Sequence, residues 1–581
     1  MRTFLFLIII IASSVMAQNK EDFITFFEAS NYLESPDYEQ SIKYLNKLAE
    51  ASPFLETFVA GKTPQGRDFY WAVVSEEKLF TPEEISKSEK PLIFIENGIH
   101  SGEIEGKDAC FLLLREMLIT GEKADLLSDF NFVIIPIFNI DGHERRSPYG
   151  RINQNGPTEM GWRTTAQNYN LNRDFLKADA PEMRMLLNIF TDYNPDFFID
   201  THTTNGSDYQ YTVTYAVEKY ENVPPSIRGW INKTYIPELE KRVEERGYFI
   251  GPYIGFVERD MNKGAYDWSA LPRLSEGYTA IRNRAGLLIE THMLKPYKER
   301  VFSTKEVIET TLELVSEIPG GIKNMNKAAD DFVLEEYFNK RSPFPLTLKR
   351  TEKTGTLIYK GIKYDNYYSE ITGDSIKHYN GIPFNKELKF YNDMIGDVYV
   401  TAPEAYYLPA QFDYLLDRIE SHGVKVERLE KDMVAKTETY KFQDVTFAKT
   451  PYESHIRPNY KYDIIEGEET LKAGGLLISC NQKTLPVILH MFEPDGPDSF
   501  VQWGMFNMIF ERKEYFEFYS MEPIAARMYQ EDAQLKAEFD EKVKSDSAFA
   551  ASPYDRLNFF YKRSKYYDQA HNVYPVKRVV K

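Results

Sequence analysis

His100 and Glu103 stand three residues apart in Asn97-Gly98-Ile99-His100-Ser101-Gly102-Glu103, and both are residue types that hold a divalent metal. The imidazole offers a neutral nitrogen and the carboxylate a charged oxygen, and both tolerate the short bonds of Zn²⁺. Such a pair is common by chance and gains weight only from the rest of the chain. His202 closes the apolar run Asp196-Phe197-Phe198-Ile199-Asp200-Thr201-His202, and Glu290 closes Gly286-Leu287-Leu288-Ile289-Glu290. A catalytic metal needs three protein ligands and an open position, and His100, Glu103 and His202 supply three. Hydrolysis at such a metal also needs a base to take a proton from water. Glu290 fits, because a charge seldom ends a buried strand unpaired. Asp200 shares the face of His202 by strand alternation. It is either a partner that orients the histidine or a solvated acid. His292, on the face of Glu290, reads as a core histidine. Arg163 and Arg173 lie in a Gly-rich polar region, and a guanidinium can clasp a carboxylate or face a developing oxyanion.

The elements that must position these groups alternate in type. The predicted strands are 58–60, 69–74, 91–96, 131–138, 196–202 and 286–291; helices are expected at 36–51, 106–120, 181–192, 224–246 and 303–317. This alternation implies an α/β fold with a mixed, largely parallel sheet flanked by helices, and functional groups at the carboxyl ends of strands. His100, His202 and Glu290 all fall at such ends. Pro319-Gly320-Gly321 opens a polar connection, 321–345. From 346 to 581 the chain reads as a C-terminal α+β region with no catalytic motif, its Tyr-rich stretches suiting a packed interface.

The chain has 581 residues, 43% of them hydrophobic, enough for two or more domains with real cores. A net charge of −18 argues against a nucleic-acid partner. Residues 1–17 read as a secretory signal, with Arg2, the apolar run Phe4–Ala12 and Val15-Met16-Ala17 before a cleavage site. That run is shorter than the ~20 residues of a membrane span, and no later segment suffices, so the mature chain is expected to be exported, secreted or periplasmic, without a membrane span. Cys110 and Cys480 sit in apolar segments and read as unpaired core residues.

Taken together the motifs resemble the zinc metallocarboxypeptidases of peptidase family M14, the carboxypeptidase A-like enzymes. The resemblance covers roughly residues 25–320. It runs through Gly61–Arg67, His100-x-x-Glu103, Asn139-x-Asp141-Gly142, Trp162-Arg163, Asn172-Arg173, His202, Asp267-Trp268-Ser269 and Glu290. It implies a catalytic domain over 18–320 with a zinc carboxypeptidase-like fold. It further implies that His100, Glu103 and His202 bind one Zn²⁺, that Glu290 activates the attacking water, and that Arg163 stabilises the oxyanion. Asn172 and Arg173 would hold the substrate's free C-terminal carboxylate. The family's mobile tyrosine has two candidates, Tyr253 and Tyr278, of which Tyr278, nearer Glu290 in sequence, is preferred. The stretch from Trp268 to Glu290 is longer than in the digestive enzymes, and Asn283-Arg284 within it is a candidate for the side-chain pocket. The expected function is an exported zinc carboxypeptidase acting on nutrient peptides or on cell-wall peptide stems. The rival readings are a zinc deacylase of N-acyl amino acids and a binding protein with a vestigial site.

Overall fold

The computed structural model describes residues 20–581, so the predicted signal segment 1–17 lies outside the described residues. The chain divides into two compact units. One comprises the residues up to Ala405 with Tyr414–Glu427 and Ile478–Ser499; the other comprises Tyr406–Asp413, Arg428–Leu477 and Phe500–Lys581.

The first unit is built on an eight-stranded sheet. Its strands are β1 (Leu55–Lys62), β2 (Asp68–Val74), β3 (Leu92–Asn97), β4 (Asn131–Ile135), β5 (Phe197–Thr204), β6 (Val213–Ala216), β7 (Ile250–Pro252) and β8 (Ala285–His292). Across the sheet they lie in the order β1-β2-β4-β3-β5-β8-β6-β7. The central four, β4, β3, β5 and β8, are parallel. The pairs β1–β2, β2–β4 and β6–β8 are antiparallel, which makes the sheet mixed. The helices that concern the site are α1 (Tyr38–Ala51), α2 (Glu105–Arg115), α3 (Pro181–Tyr193), α4 (Ile236–Glu245), α5 (Ser275–Ile281), α6 (Tyr297–Ser316) and α7 (Ile322–Val333).

Strand alternation assigns the faces. Ile93, Ile95, Phe197, Ile199, Leu287 and Ile289 point to one side and pack with Phe111 and Leu114 of α2 and Val307, Ile308 and Leu312 of α6. Phe94 and Phe198 point to the other side, where Phe190 of α3 lies 5.8 Å from each ring. Because side chains repeat every two residues, that second face also carries Asp200, His202, Leu288 and Glu290. The apolar residues at the start of each strand thus bury the sheet, and the polar ones at its carboxyl end form the site.

Helix α2 lies unusually close to the sheet at its first turn. A Cβ on Gly106 would stand 2.1 Å from Thr201 Oγ1 and 2.4 Å from Asn97 Oδ1. Only a glycine admits this approach, and it fixes the turn that carries Glu103 immediately before α2.

The catalytic unit extends beyond the expected boundary. Residues 321–345, expected as a polar connection, carry α7 instead, whose Ile322, Asn326, Ala329 and Val333 are buried. Asn326 Nδ2 donates to the Asp196 carboxylate at 3.1 Å, below β5. The polar character of this segment is that of a one-sided helix whose apolar residues recur every three or four positions. The long hairpin Gly355–Ser369 with Asp374–Tyr391, expected in the C-terminal region, also belongs to this unit. Gln210 N donates to Lys360 O at 2.9 Å, and Phe390 pairs with Ala265. Both Cys110 and Cys480 are buried.

The second unit is α+β. Its long antiparallel pair Met433–Phe447 and Pro458–Leu471 is extended by Lys577–Val580. The helices Phe518–Glu531, Ala533–Ser545 and Pro553–Tyr561 enclose a cluster that includes Phe539, Phe549, Phe559 and Phe560. Among the described residues no helix is long and apolar enough to cross a membrane.

Candidate active site

The parallel register of β5 and β8 pairs His202 with Glu290 and Asp200 with Leu288, so these side chains emerge side by side. On the far side of β5, Asp200 pairs with Glu96 of β3. The chain leaves β3 through Gly98, whose φ is +73°, and turns back so that His100 and Glu103 face His202. Ligand atoms of His100, Glu103 and His202 all lie within 4.8 Å of one another, and all three residues are buried.

The hydrogen bonds around this trio show which atoms face inward. His100 Nε2 lies 3.0 Å from Asn170 Oδ1, an acceptor, so this nitrogen carries the proton. His202 Nε2 lies 2.8 Å from Asp200 Oδ2, again an acceptor. Each imidazole therefore directs its Nδ1 toward Glu103 Oε2, at 3.2 Å from His100 and 3.0 Å from His202. His100 Nδ1 is buried without a hydrogen-bond partner. Three ligand atoms that converge in one buried space suit a divalent cation. The donor set of two imidazole nitrogens and one carboxylate suits Zn²⁺. Asp200, open between two readings in the sequence, is buried and orients His202.

The charges around the trio are arranged to keep Glu103 ionised. Burial opposes its charge, but Arg151 and His100 outweigh burial and hold its carboxyl well below the ordinary range. Arg151 donates to Glu103 Oε1 at 2.7 Å, Arg163 donates to the same oxygen at 3.2 Å, and the Thr203 amide donates to Oε2 at 3.0 Å. Burial lowers His100 to about 4, against the pull of Glu103, which leaves it a neutral ligand. Burial would also lower His202, but Asp200 raises it well above its ordinary value. The proton held there in the absence of a cation is the one a metal displaces.

Glu290 faces the same space. Burial pushes its carboxyl up to about 8, with His202 opposing and Glu103, Asp200 and Glu276 reinforcing the shift. Its Oε2 is buried without a hydrogen-bond partner. A carboxylate so placed binds protons more readily than an exposed one, which is the property a general base at a metal centre needs.

The trio and Glu290 open into one cleft of about 230 Å³, also lined by Arg151, Arg163, Asn172, Arg173 and Tyr253. Asn172 is fixed by the Ser275 amide, which donates to its Oδ1 at 3.3 Å. Arg163 is held through its backbone, since Asn139 Nδ2 donates to Arg163 O at 3.1 Å and Asn139 Oδ1 accepts from Gly142 N at 3.0 Å. Asp141, from the same motif, accepts from Thr63 Oγ1 and from Arg67, each at 2.8 Å, and so ties the Gly61–Arg67 turn down.

Three residues expected at the site, Tyr278, Asn283 and Arg284, do not line the cleft. Tyr278 is fully buried away from the cleft, its hydroxyl 2.9 Å from His422 Nδ1 and accepting from Arg282 at 2.9 Å. It lies on α5 two residues after Glu276, and at 100° per residue the two occupy opposite sides of that helix. Tyr253 does line the cleft, its ring 5.0 Å from that of Trp268. Asn283 and Arg284 are likewise turned away and bind Asp330 of α7. His292 is a core residue, its Nε2 3.2 Å from Ser207 O. Arg151 was not legible in the sequence. A Cβ on Gly102 would stand 2.3 Å from Arg151 Cδ, so the glycine between His100 and Glu103 is what admits this guanidinium.

A single metal position that shares one cleft with an unpartnered carboxylate and guanidinium groups fits a one-metal hydrolase site. Residues 41–303 match the family model of zinc carboxypeptidases, peptidase family M14. The chain is similar to carboxypeptidase 2 of Trichophyton rubrum, with 23% identity over 493 residues, covering 80% of this chain and 82% of that protein. It is also similar to a probable carboxypeptidase 2 of Arthroderma benhamiae, 24% identical over 473 residues, covering 76% and 80% of the two chains. Among solved structures, carboxypeptidase A of Helicoverpa armigera aligns with a TM-score of 0.37 and 18% identity, over 49% of this chain and 74% of that one.

The expected metal behaviour is specific. Zinc analysis of the purified protein should give one equivalent per chain. His202→Ala and Glu103→Gln should each reduce this to background, and Asp200→Asn should weaken zinc affinity by about 10–100-fold. Retention of a full equivalent by His202→Ala would contradict the ligand assignment.

Proposed function

We propose that the protein is an exported carboxypeptidase that binds one zinc per chain and hydrolyses the C-terminal peptide bond of peptides. The observation that carries this reading is the placement of Arg163, Asn172 and Arg173 in the same cleft as the metal trio. An internal peptide segment has no charge for these groups to hold, whereas a free C-terminal carboxylate fits a guanidinium with two parallel hydrogen bonds.

In this reading Asn172 and Arg173 bind the terminal carboxylate and fix which peptide bond lies over the metal position. When bound, zinc polarises the scissile carbonyl and makes water a stronger nucleophile. Glu290 takes the proton from the attacking water and passes it to the leaving amine. Its buried position beside His202 supports both halves of that transfer. Arg163, with its side chain 42% exposed, has room to turn toward the oxyanion. Arg151, held by Glu103, keeps the ligand carboxylate ionised rather than meeting substrate. Tyr253, at the cleft wall, is the tyrosine placed to cover the bound terminus. Substrates in keeping with export are nutrient peptides or peptide stems of cell-wall material, and the export reading rests on the sequence of residues 1–17.

Mass spectrometry of a peptide mixture incubated with the zinc-loaded protein tests this. Wild type should remove single C-terminal residues, and C-terminally amidated versions of the same peptides should react about 10²-fold more slowly or less. Glu290→Gln should keep its zinc and lose about 10²–10⁴-fold in kcat. Equal trimming of free and amidated termini, or an active Glu290→Gln, would overturn the assignment. For export, N-terminal sequencing of protein recovered outside the cytoplasm should begin at Gln18; recovery only inside, beginning at Met1, would contradict it.

A further inference from the structure

Beside the catalytic cleft lies a second cavity that the reaction does not use. It holds about 380 Å³ and shares Asn205 and Tyr253 with the cleft. Neither Asn172 nor Arg173 lines it, so it borders the cleft elsewhere than at the carboxylate clamp. Part of its wall comes from the hairpin Gly355–Ser369 with Asp374–Tyr391, which supplies Tyr359 and Lys377. That hairpin lies beyond residues 41–303, outside the family match. A smaller cavity of about 100 Å³ continues along the hairpin and shares Arg259, Tyr359 and Lys377 with the second.

The walls of this cavity are fastened together. Gln210 Nε2 donates to Phe384 O at 2.9 Å and to Gly361 O at 3.2 Å. The Tyr211 hydroxyl donates to Ile358 O at 3.1 Å and accepts from Lys360 N at 3.2 Å. These bonds seat the hairpin on the segment that follows β5, and the Tyr359 ring meets Phe256 edge to face at 5.3 Å. The turn that carries Arg259 is strained. Glu258 and Arg259 have φ of +52° and +61°, two successive non-glycine residues in the left-handed region. Such strain persists only where the surrounding structure holds it, and it collects at ligand-binding positions.

Charge says what the cavity takes. The chain carries a net charge of −18, yet the two charged residues that line this cavity, Arg259 and Lys377, are both basic. The acids nearby are engaged: Glu258 pairs with Lys263, Asp208 lies 3.6 Å from Lys295, and Asp260 accepts from Asn262 N and Nδ2, each at 2.9 Å. Among the described residues neither Arg259 nor Lys377 forms an ion pair, and the Lys377 ammonium lies over the Tyr364 ring at 4.6 Å. We propose that this cavity binds an acidic side chain, aspartate or glutamate, of the substrate peptide upstream of the bond that is cut. The inference rests on the carboxypeptidase reading above and adds a substrate class recognised away from the terminal residue. With the terminal carboxylate on Asn172 and Arg173, the rest of the peptide leaves the cleft past Asn205 and Tyr253. The rings of Tyr253, Phe256 and Tyr359 cover its apolar parts, and Arg259 and Lys377 meet the carboxylate with charge-assisted hydrogen bonds. A basic residue at the same place meets like charge.

A peptide series with one fixed C-terminal residue tests this on the zinc-loaded wild type. Glutamate is moved one position at a time upstream of the cut bond and compared with glutamine and lysine at the same place. At one or two adjacent positions glutamate should raise kcat/KM about 3–10-fold over glutamine, through KM, with lysine slowest. The advantage should shrink as salt is added. In the double variant Arg259→Ala with Lys377→Ala the glutamate-to-glutamine ratio should fall toward one, and Arg259→Lys should retain part of it. Both side chains are exposed, and each ratio is read within one protein, so a general loss of activity does not mimic the result. Trimming by wild type with no upstream position at which glutamate exceeds glutamine overturns this inference alone, whether or not the variants fold. An unchanged ratio in the folded double variant overturns the role of Arg259 and Lys377. Failure of folded, zinc-loaded wild type to trim any peptide overturns the carboxypeptidase reading and this inference with it.

Discussion

Three ligand atoms aimed at one buried point are the constraint on which the rest of this catalytic unit depends. Asn170 and Asp200 each accept the proton of one imidazole, which forces both Nδ1 atoms toward the Glu103 carboxylate. Such an arrangement suits a divalent cation at the centre. Its geometry is imposed from outside the site. The parallel register of β3, β5 and β8 sets His202 beside Glu290, and the close seating of Gly106 on Thr201 and Asn97 sets the turn that carries Glu103.

Charge is layered around that centre. Arg151 and Arg163 both reach Glu103 Oε1 and keep the ligand anionic. Below, Glu96 is fully buried with both carboxylate oxygens unpartnered, and burial together with Asp200 raises its carboxyl well above the ordinary range. The same cleft thus holds guanidinium groups, those of Arg151, Arg163 and Arg173, together with the carboxylates of Glu290 and Glu276. Asn172 and Glu276 are mechanically joined, because Ser275 holds the first and precedes the second.

Much of this was legible in the sequence, and the reason is that strand ends announce themselves. His202 and Glu290 interrupt apolar runs, and the alternation that buries Phe198 and Leu287 on opposite faces also places Asp200 and His202 together. The mixed, largely parallel sheet follows from the same runs. What failed to show has physical causes as well. Arg151 sits in an irregular loop with no periodicity, and only the missing Cβ of Gly102 reveals where it goes. Tyr278 is near Glu290 in sequence, but the seven-residue helix that carries it turns it into the core, onto His422. Residues 321–345 looked like a connection because α7 is polar on all but one narrow side. The hairpin 355–391 looked like part of a separate region because its pairing with Tyr209–Tyr211 and Ala265 spans distances in sequence that local patterns do not record.

The central claim is that one cation is held by His100 Nδ1, His202 Nδ1 and Glu103. Diffraction from crystals of the zinc-loaded protein at wavelengths on either side of the zinc absorption edge tests it most directly. The account predicts one anomalous peak in the first unit, about 2.0–2.1 Å from both Nδ1 atoms and about 2.0–2.2 Å from a Glu103 oxygen. A peak bound through Nε2 of either histidine, or located away from Glu103, would contradict it.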